Sequence, residues 1–147
     1  MNRSCDDLEA LTVKLAKILA PHAEILEAYL FGSVARGRVH AHSDIDVAVF
    51  IETKAAPQSS FGYQALLTTE LMGSLGTNDI DVVILNNAPP VLYHRVLRDG
   101  IRVFSRNLKE TTVREAKAVS RYCDFLPQLA KIDGVRSLNS KQQDGTP

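Results

Sequence analysis

The stretch FGSVARGRVHAHSDIDV, residues 31–47, carries the features from which both a fold and a chemistry can be predicted. The apolar run at residues 28–31 stops at Gly32 and Ser33, where a buried strand is predicted to end and a helix to begin. Free backbone N–H groups and the positive end of the helix dipole form an anion site at such a junction. Glycine lets the backbone approach a phosphate closely, and the Ser33 hydroxyl can donate one more hydrogen bond. Taken alone, Gly32 and Ser33 could simply form a structural turn; together with the aspartates that follow, they are predicted to contact phosphate.

Two aspartates close the same stretch. Asp44 and Asp46 are two residues apart on a predicted strand, so their side chains project from one face, about 7 Å apart at the backbone. Asp81, on the next predicted strand, can stand beside them, and Asp79 on the same face is the alternative. Three carboxylates within about 5 Å repel by about 3 kcal/mol per pair at an effective dielectric constant of about 20. A divalent cation that also holds phosphate oxygens would offset this repulsion, and Mg²⁺ binds in that way.

Strands and helices alternate along the rest of the chain. Short apolar or β-branched runs predict strands at residues 28–31, 44–51, 79–85 and 101–104. Helical spacing of apolar residues predicts helices from residue 8 to near Pro21 and at residues 63–75, 90–98 and 109–131. This order predicts the α/β class. A single domain is expected at residues 1–133, followed by a polar and flexible tail at residues 134–147.

The last predicted helix, residues 109–131, has more than one possible role. One side is apolar and is expected to pack in the core; it consists of Val119, Tyr122, Leu126 and Leu129. The interspersed Lys and Arg residues are more typical of a solvated face than of an RNA-binding groove. The same charged face is also the largest candidate surface for a protein partner, with Arg114, Lys117 and Arg121 as candidate contacts.

Composition argues against several classes of protein. The chain has 147 residues, of which 45% are hydrophobic and 23% charged, as in an ordinary globular domain. Its 17 Lys and Arg residues balance 17 Asp and Glu residues, whereas proteins that coat nucleic acid usually have a basic excess. The apolar runs are too short for a membrane span, and the acidic N-terminal segment is unlike a signal peptide. Cys5 and Cys123 form no CxxC pair, so a reducing, cytoplasmic setting is expected.

The spacing of Gly32 and Ser33, ten residues, and then Asp44 and Asp46 resembles the signature of the minimal nucleotidyltransferases, within the polymerase-β-type nucleotidyltransferase superfamily. The segments that follow the same pattern lie between residues 8 and 104; they are residues 35–37, 81–86, 88–89 and 95–104, together with Ser43. The resemblance implies a polymerase-β-like fold, with a small mixed sheet of about four strands flanked by helices.

The resemblance also implies roles for individual residues. Asp44 and Asp46 would coordinate Mg²⁺, with two ions expected, and Asp81 would serve as a third metal ligand or as the base for the attacking hydroxyl. Gly32 and Ser33 would hold the triphosphate of ATP, the expected substrate.

Four residues between Ser33 and Asp44 are further candidates. Arg36 and Arg38 could reach phosphate from the predicted helix or could be solvated, and Arg36 is the candidate for nucleotide binding. His40 and His42 have a spacing that suits no metal set with the aspartates, so they are expected to be loop residues.

Members of this family that are similar in size act as antitoxins in HEPN–MNT toxin–antitoxin systems. The resemblance therefore implies an Mg²⁺-dependent protein adenylyltransferase that transfers AMP from ATP to a tyrosine of a HEPN-domain ribonuclease, its partner. No membrane and no stable nucleic-acid partner is expected. One alternative is nucleotidyl transfer to a small molecule or RNA, although such relatives usually carry an extra domain. A second alternative is a non-catalytic antitoxin that sequesters its partner, but such a protein need not keep all three carboxylates.

Overall fold

The computed structural model describes residues 3–35, 44–54 and 60–143, with side chains at residues 7–35, 44–54 and 61–128. Strands and helices alternate as predicted, which confirms the α/β class. In chain order they are α1 (Arg3–Leu19), β1 (Ile25–Phe31), α2 (Gly32–Ala35), β2 (Ile45–Ile51), α3 (Ser60–Leu75), β3 (Ile80–Ile84), α4 (Pro90–Asp99), β4 (Ile101–Ser105) and α5 (Leu108–Gln143). None of the described helices is both long enough and apolar enough to cross a membrane.

The four strands form one mixed sheet in the order β3-β2-β1-β4. Strand β1 runs antiparallel to β2 and to β4, whereas β2 and β3 are parallel. In this register Asp46 lies opposite Phe31 on one side and opposite Asp81 on the other. The end of β1 and the beginnings of β2 and β3 therefore meet at one edge of the sheet, which we call the catalytic edge.

The two faces of the sheet are covered by different helices. On one face α1 and α3 bury a large apolar core, which includes Leu15, Leu19, Val47, Val49, Leu67 and Leu71. On the other face α4 and α5 pack over a smaller cluster that includes Tyr29, Ala48, Tyr93, Val96 and Ala118. Side chains alternate along a strand, so Asp46 projects on the same face as Ala48, which is the face that α4 and α5 cover.

Besides the apolar contact of Ala118, polar contacts attach helix α5 to the sheet. The Glu27 side chain on β1 is fully buried. Arg114 on α5 donates two hydrogen bonds to this carboxylate, from Nε at 2.7 Å and from Nη2 at 2.6 Å, and the Thr111 hydroxyl donates a third at 3.0 Å. Further along α5, Glu115 accepts a hydrogen bond of 3.0 Å from the Tyr29 hydroxyl and pairs with Arg102. Buried carboxylates are costly unless they are paired in this manner.

Three predictions about α5 are wrong. The helix extends to Gln143 instead of ending near residue 131, because polar residues such as Lys, Gln and Arg sustain helical hydrogen bonding without an apolar face. Val119 and Leu126 are exposed instead of packed in the core, and Arg114 is paired with Glu27 instead of solvated. The Leu129 side chain lies outside the described residues, and the domain boundary after residue 133 stays a prediction.

Candidate active site

Strand register brings Asp46 and Asp81 together. They are direct neighbours across the parallel pair of β2 and β3, and Asp44 stands exposed just before β2. Asp79 meets β2 through its backbone instead, because its carbonyl oxygen accepts a hydrogen bond of 2.8 Å from the Ile45 N–H group. The structure therefore favours Asp81 over Asp79 as the neighbour of Asp46.

Gly32 packs directly against the Asp46 carboxylate. Its φ is +80°, a conformation that residues with a side chain rarely adopt. A Cβ atom at this position would lie 2.0 Å from Asp46 Oδ2, so only glycine fits. The backbone predicted to contact phosphate is thus in contact with a carboxylate predicted to hold Mg²⁺, and the exposed Ser33 side chain follows immediately.

The Asp46 carboxylate has an unusual protonation equilibrium. Burial, which is the largest cause, and the negative charges of Asp81 and Asp44 together raise its pKa to about 6. The ionised form of Asp46 is therefore disfavoured in the free protein. A bound cation would relieve both causes, because it would replace the lost hydration and oppose the neighbouring charges.

This equilibrium predicts a pH dependence of stability. The pKa of Asp46 rises from an ordinary value of 3.8 when unfolded to about 6 when folded, so the folded state holds this proton more tightly. As the pH rises from 3.8 to about 6, the free energy of unfolding of the wild type is expected to fall relative to that of the Asp46→Asn variant. At higher pH the difference between the two proteins should no longer change. Urea denaturation of both proteins at a series of pH values measures this difference. A difference that does not change with pH would contradict the assignment.

The acidic residues at the catalytic edge are suitable ligands for Mg²⁺. In the part of the chain that the structure describes, no three His, Cys, Asp or Glu side chains already converge as a complete metal-binding set. Mg²⁺ does not need such a set, because it binds one or two carboxylates together with phosphate oxygens and water. Asp46 and Asp81 offer hard oxygen ligands beside the backbone of Gly32, so nucleotide phosphates could complete the coordination.

Because Gly32 contacts Asp46, we expect a methyl group added at position 32 to have a large effect on nucleotidyl transfer. Gly32→Ala is expected to lower nucleotidyl transfer by about 100-fold, because the carboxylate must move by an ångström or more from its position. Gly73→Ala is the matched control, since a Cβ there meets no atom within 4 Å and replaces glycine inside α3. The control should keep full activity and be slightly stabilised. Steady-state transfer rates and urea denaturation measure both effects, and an active Gly32→Ala variant would contradict the assigned geometry.

Some predicted residues lie outside the described part of the chain, and one structural residue was not predicted. Arg36 lies outside the described residues, as do Arg38, His40 and His42, so the role of Arg36 in nucleotide binding stays a prediction. The sequence analysis assigned no role to Glu27, although a lone acidic residue inside the apolar strand ILEAYLF signals a buried partner.

Gly100 has a second role near the site besides ending α4. A Cβ atom there would lie 2.3 Å from the Val96 carbonyl oxygen and 3.1 Å from that of Leu30. The end of α4 can therefore pack closely against the end of β1, two residues before Gly32. This packing helps to position the catalytic edge.

Comparisons with known proteins agree with this geometry. The family described as "Polymerase beta, Nucleotidyltransferase" matches residues 13–109. The protein adenylyltransferase MntA of Shewanella oneidensis is 30% identical over 110 residues, which cover 75% of this chain and 73% of MntA. A crystal structure of a toxin–antitoxin with AMP-PNP contains a chain with a TM-score of 0.71 and 28% identity, covering 85% of this chain and 98% of that one. A structure of the tri-AMPylated Shewanella oneidensis HEPN toxin in complex with MNT antitoxin gives a TM-score of 0.67 and 25% identity, covering 88% and 98%.

The matched segment contains all four strands and every predicted site residue from Gly32 to Asp81. It also covers well over half of the chain, and the similarity to MntA extends across most of both proteins. The fold expected from the resemblance is confirmed, with four strands in a mixed sheet flanked by helices. This chain belongs to the polymerase beta-type nucleotidyltransferase family and is a homologue of MntA.

Proposed function

We propose that this chain is an antitoxin that transfers AMP from ATP to a tyrosine of a cognate HEPN ribonuclease toxin and thereby neutralises it. The observation that carries the proposal is the contact of Gly32 with Asp46, which in turn lies opposite Asp81. A backbone that is predicted to bind phosphate and a pair of carboxylates meet there at one edge of the sheet. The similarity to a protein adenylyltransferase, and to antitoxin structures with AMP-PNP or with an AMPylated HEPN toxin, supports this substrate and this partner.

The residues at the catalytic edge have different roles in the proposed reaction. The backbone of Gly32 and the Ser33 hydroxyl would bind the phosphates of ATP and orient them. Asp44, Asp46 and Asp81 would hold Mg²⁺, which supplies charge neutralisation for the triphosphate when bound. The Asp81 carboxylate is exposed and can accept the proton of an incoming hydroxyl.

The transfer is a single displacement at phosphorus. The tyrosine oxygen forms a bond to the α-phosphorus while the bond from that phosphorus to the bridging oxygen breaks, and pyrophosphate leaves. Positioning of the hydroxyl against the α-phosphate accounts for much of the acceleration in such reactions. Because ATP is the expected substrate, we place the reaction in the cytoplasm.

The site is suited to an acceptor as large as a protein. Asp44 and Asp81 are both exposed, and only Asp46 among the three carboxylates is partly buried. The part of the catalytic edge that the structure describes is therefore open on the side of the carboxylates. An acceptor protein could present a tyrosine there and exclude water from the site as it binds.

The test is transfer of label from ATP to the purified cognate HEPN protein. With Mg²⁺ present, we expect label from α-³²P-ATP to enter the HEPN protein, together with a mass increase of one or more AMP groups on tyrosine. Label from γ-³²P-ATP should not be incorporated, and EDTA should abolish transfer. A complex that forms without any transfer would contradict the proposal and indicate an antitoxin that only sequesters. Transfer to RNA alone would also contradict it.

A further inference from the structure

Helix α4 crosses the face of the sheet on which Asp46 and Asp81 project. It begins at Pro90, after the end of β3, and it ends beside the end of β1, where Gly100 lies close to the Leu30 carbonyl oxygen. Because β1 ends at the edge where β2 and β3 begin, this path is a diagonal across the face. One flank of α4 therefore faces the beginnings of β2 and β3, and the opposite flank faces away from them.

Contacts on both flanks show how α4 is rotated. On one flank, the His94 ring stacks on the Tyr122 ring of α5, with 3.7 Å between the ring centroids. On the other flank, Leu92 lines a shallow groove together with Val83 of β3. Val83 follows Asp81 by two residues and projects on the same face of the sheet. The flank that carries Leu92 is therefore the flank that faces the carboxylates.

Arg95 lies on this same flank. It is about 60° around the helix from Leu92, at 3.6 residues per turn, and its side chain is exposed. Among the residues that the structure describes, the Arg95 guanidinium has no hydrogen-bond or ion-pair partner. Arg98, which follows one turn later, instead donates two hydrogen bonds of 3.0 Å to the Asp99 carboxylate. Arg95 is thus an unpaired cation on the flank of α4 that faces the acidic residues.

The catalytic edge would have an excess of negative charge with ATP bound. The triphosphate would lie beside three carboxylates, those of Asp44, Asp46 and Asp81. The two Mg²⁺ ions that are expected offset only part of the combined negative charge, so a further cation is favoured there. A guanidinium is well suited to phosphate, because it stays protonated and donates several N–H groups in one plane.

The position of α4 indicates which phosphates Arg95 can reach. Helix α4 contacts α2, the short helix that contains Gly32 and Ser33 and is predicted to bind phosphate. Phosphates held by α2 would therefore lie beside α4. The α-phosphorus must stay accessible to the incoming hydroxyl near Asp81, so the β- and γ-phosphates, which we call the outer phosphates, are the ones that can extend toward α4.

We propose that Arg95 binds the outer phosphates of ATP and stabilises them as they leave. This inference rests on the proposed function. When the bond from the α-phosphorus to the bridging oxygen breaks, its electron pair stays on that oxygen, and negative charge increases on the departing pyrophosphate. A guanidinium already in contact with the outer phosphates stabilises this charge without having to move.

Binding of ligands that do not react tests the proposal directly. With Mg²⁺ present, isothermal titration calorimetry gives the Kd of AMP-PNP, of inorganic pyrophosphate and of AMP. Arg95→Ala is expected to raise the Kd of AMP-PNP and of pyrophosphate about tenfold or more, because charge-assisted hydrogen bonds to phosphate are lost. The Kd of AMP, which has no outer phosphates, should not change. Arg95→Lys should recover part of the loss, since lysine keeps the charge but not the planar N–H groups.

Arg98→Ala is the matched control. It removes an exposed arginine from the same helix, but one whose guanidinium pairs with Asp99. Its Kd for AMP-PNP should equal that of the wild type. Urea denaturation of Arg95→Ala should also match the wild type, because Arg95 is exposed and unpaired among the described residues. An unchanged Kd for AMP-PNP in Arg95→Ala, or an equal loss in Arg98→Ala, would overturn the inference.

Steady-state transfer separates this inference from the proposed function. Arg95→Ala is expected to raise the KM for ATP and to lower the rate at saturating ATP, while the KM for the HEPN protein stays unchanged. A change in the KM for the HEPN protein alone would overturn the inference and assign Arg95 to the acceptor. Weaker binding of AMP-PNP by Arg95→Ala, when the wild type transfers no AMP, would contradict the proposed function and support this inference. Wild-type AMP transfer that Arg95→Ala leaves unchanged would support the proposed function and overturn this inference.

Discussion

Asp46→Asn is expected to lower AMP transfer about 1,000-fold or more while the protein stays folded. The carboxylate lies against Gly32 and opposite Asp81, where it would hold Mg²⁺ against the triphosphate. Such a contact contributes several kcal/mol to transition-state stabilisation, which corresponds to a factor of this size. The measurement is a single-turnover assay of AMP incorporation into the HEPN protein, followed by intact-mass analysis.

The acidic residues nearby provide the controls for this prediction. Asp44→Asn and Asp81→Asn are expected to abolish transfer as well, because each substitution removes a carboxylate that the proposed function assigns to Mg²⁺. Asp79→Asn is the matched control, since Asp79 is exposed, directly precedes β3 and contacts β2 through its backbone carbonyl oxygen. It should retain nearly full activity. Near-normal transfer by Asp46→Asn would contradict the assignment of the catalytic edge.

Arg114→Ala is expected to destabilise the protein by about 3 kcal/mol or more. The substitution leaves the Glu27 carboxylate buried with only the Thr111 hydroxyl as its partner among the contacts described above. It also detaches α5 from β1 at its strongest contact, where two hydrogen bonds to one carboxylate are lost. Urea denaturation at pH 7 measures the change in the free energy of unfolding.

Two further variants test whether the unpaired Glu27 carboxylate causes the loss of stability. Lys117→Ala removes a positive charge from an exposed position of the same helix and should change stability by less than about 0.5 kcal/mol. Replacing Glu27 and Arg114 together with leucine should restore much of the loss, because no buried charge remains. A double variant as unstable as Arg114→Ala would indicate that packing, and not the buried charge, causes the loss.

The sequence allowed a close prediction of the parts of the fold that depend on local pattern. The four strands and the position of Gly32 at a strand end follow from β-branched runs and a turn residue. The choice between Asp79 and Asp81 could not be made from spacing, because both would lie on one face of the strand predicted at residues 79–85. Only the register between β2 and β3 places Asp81, and not Asp79, opposite Asp46.

The predictions that failed depend on contacts between distant parts of the chain. Arg114 has the periodicity of a solvated residue, and its partner Glu27 lies 87 residues away in the sequence. Val119 and Leu126 fit the pattern of a core face, yet polar contacts near Thr111 and Arg114 turn a different side of α5 toward the sheet. Helical spacing indicates that an apolar face exists, but it does not indicate what covers that face.

The ion pair between Glu27 and Arg114 has a consequence for how an acceptor residue is selected. Apolar surfaces can slide past one another at small cost, whereas two hydrogen bonds to one buried carboxylate fix both the position and the rotation of α5 along β1. A slip of one helical turn would displace the helix by about 5.4 Å. The part of α5 around Arg114 therefore keeps a fixed position relative to β1, the strand that ends beside Asp46. An acceptor protein that contacted this part of α5 would be modified at whichever hydroxyl lies at that fixed separation from the carboxylates.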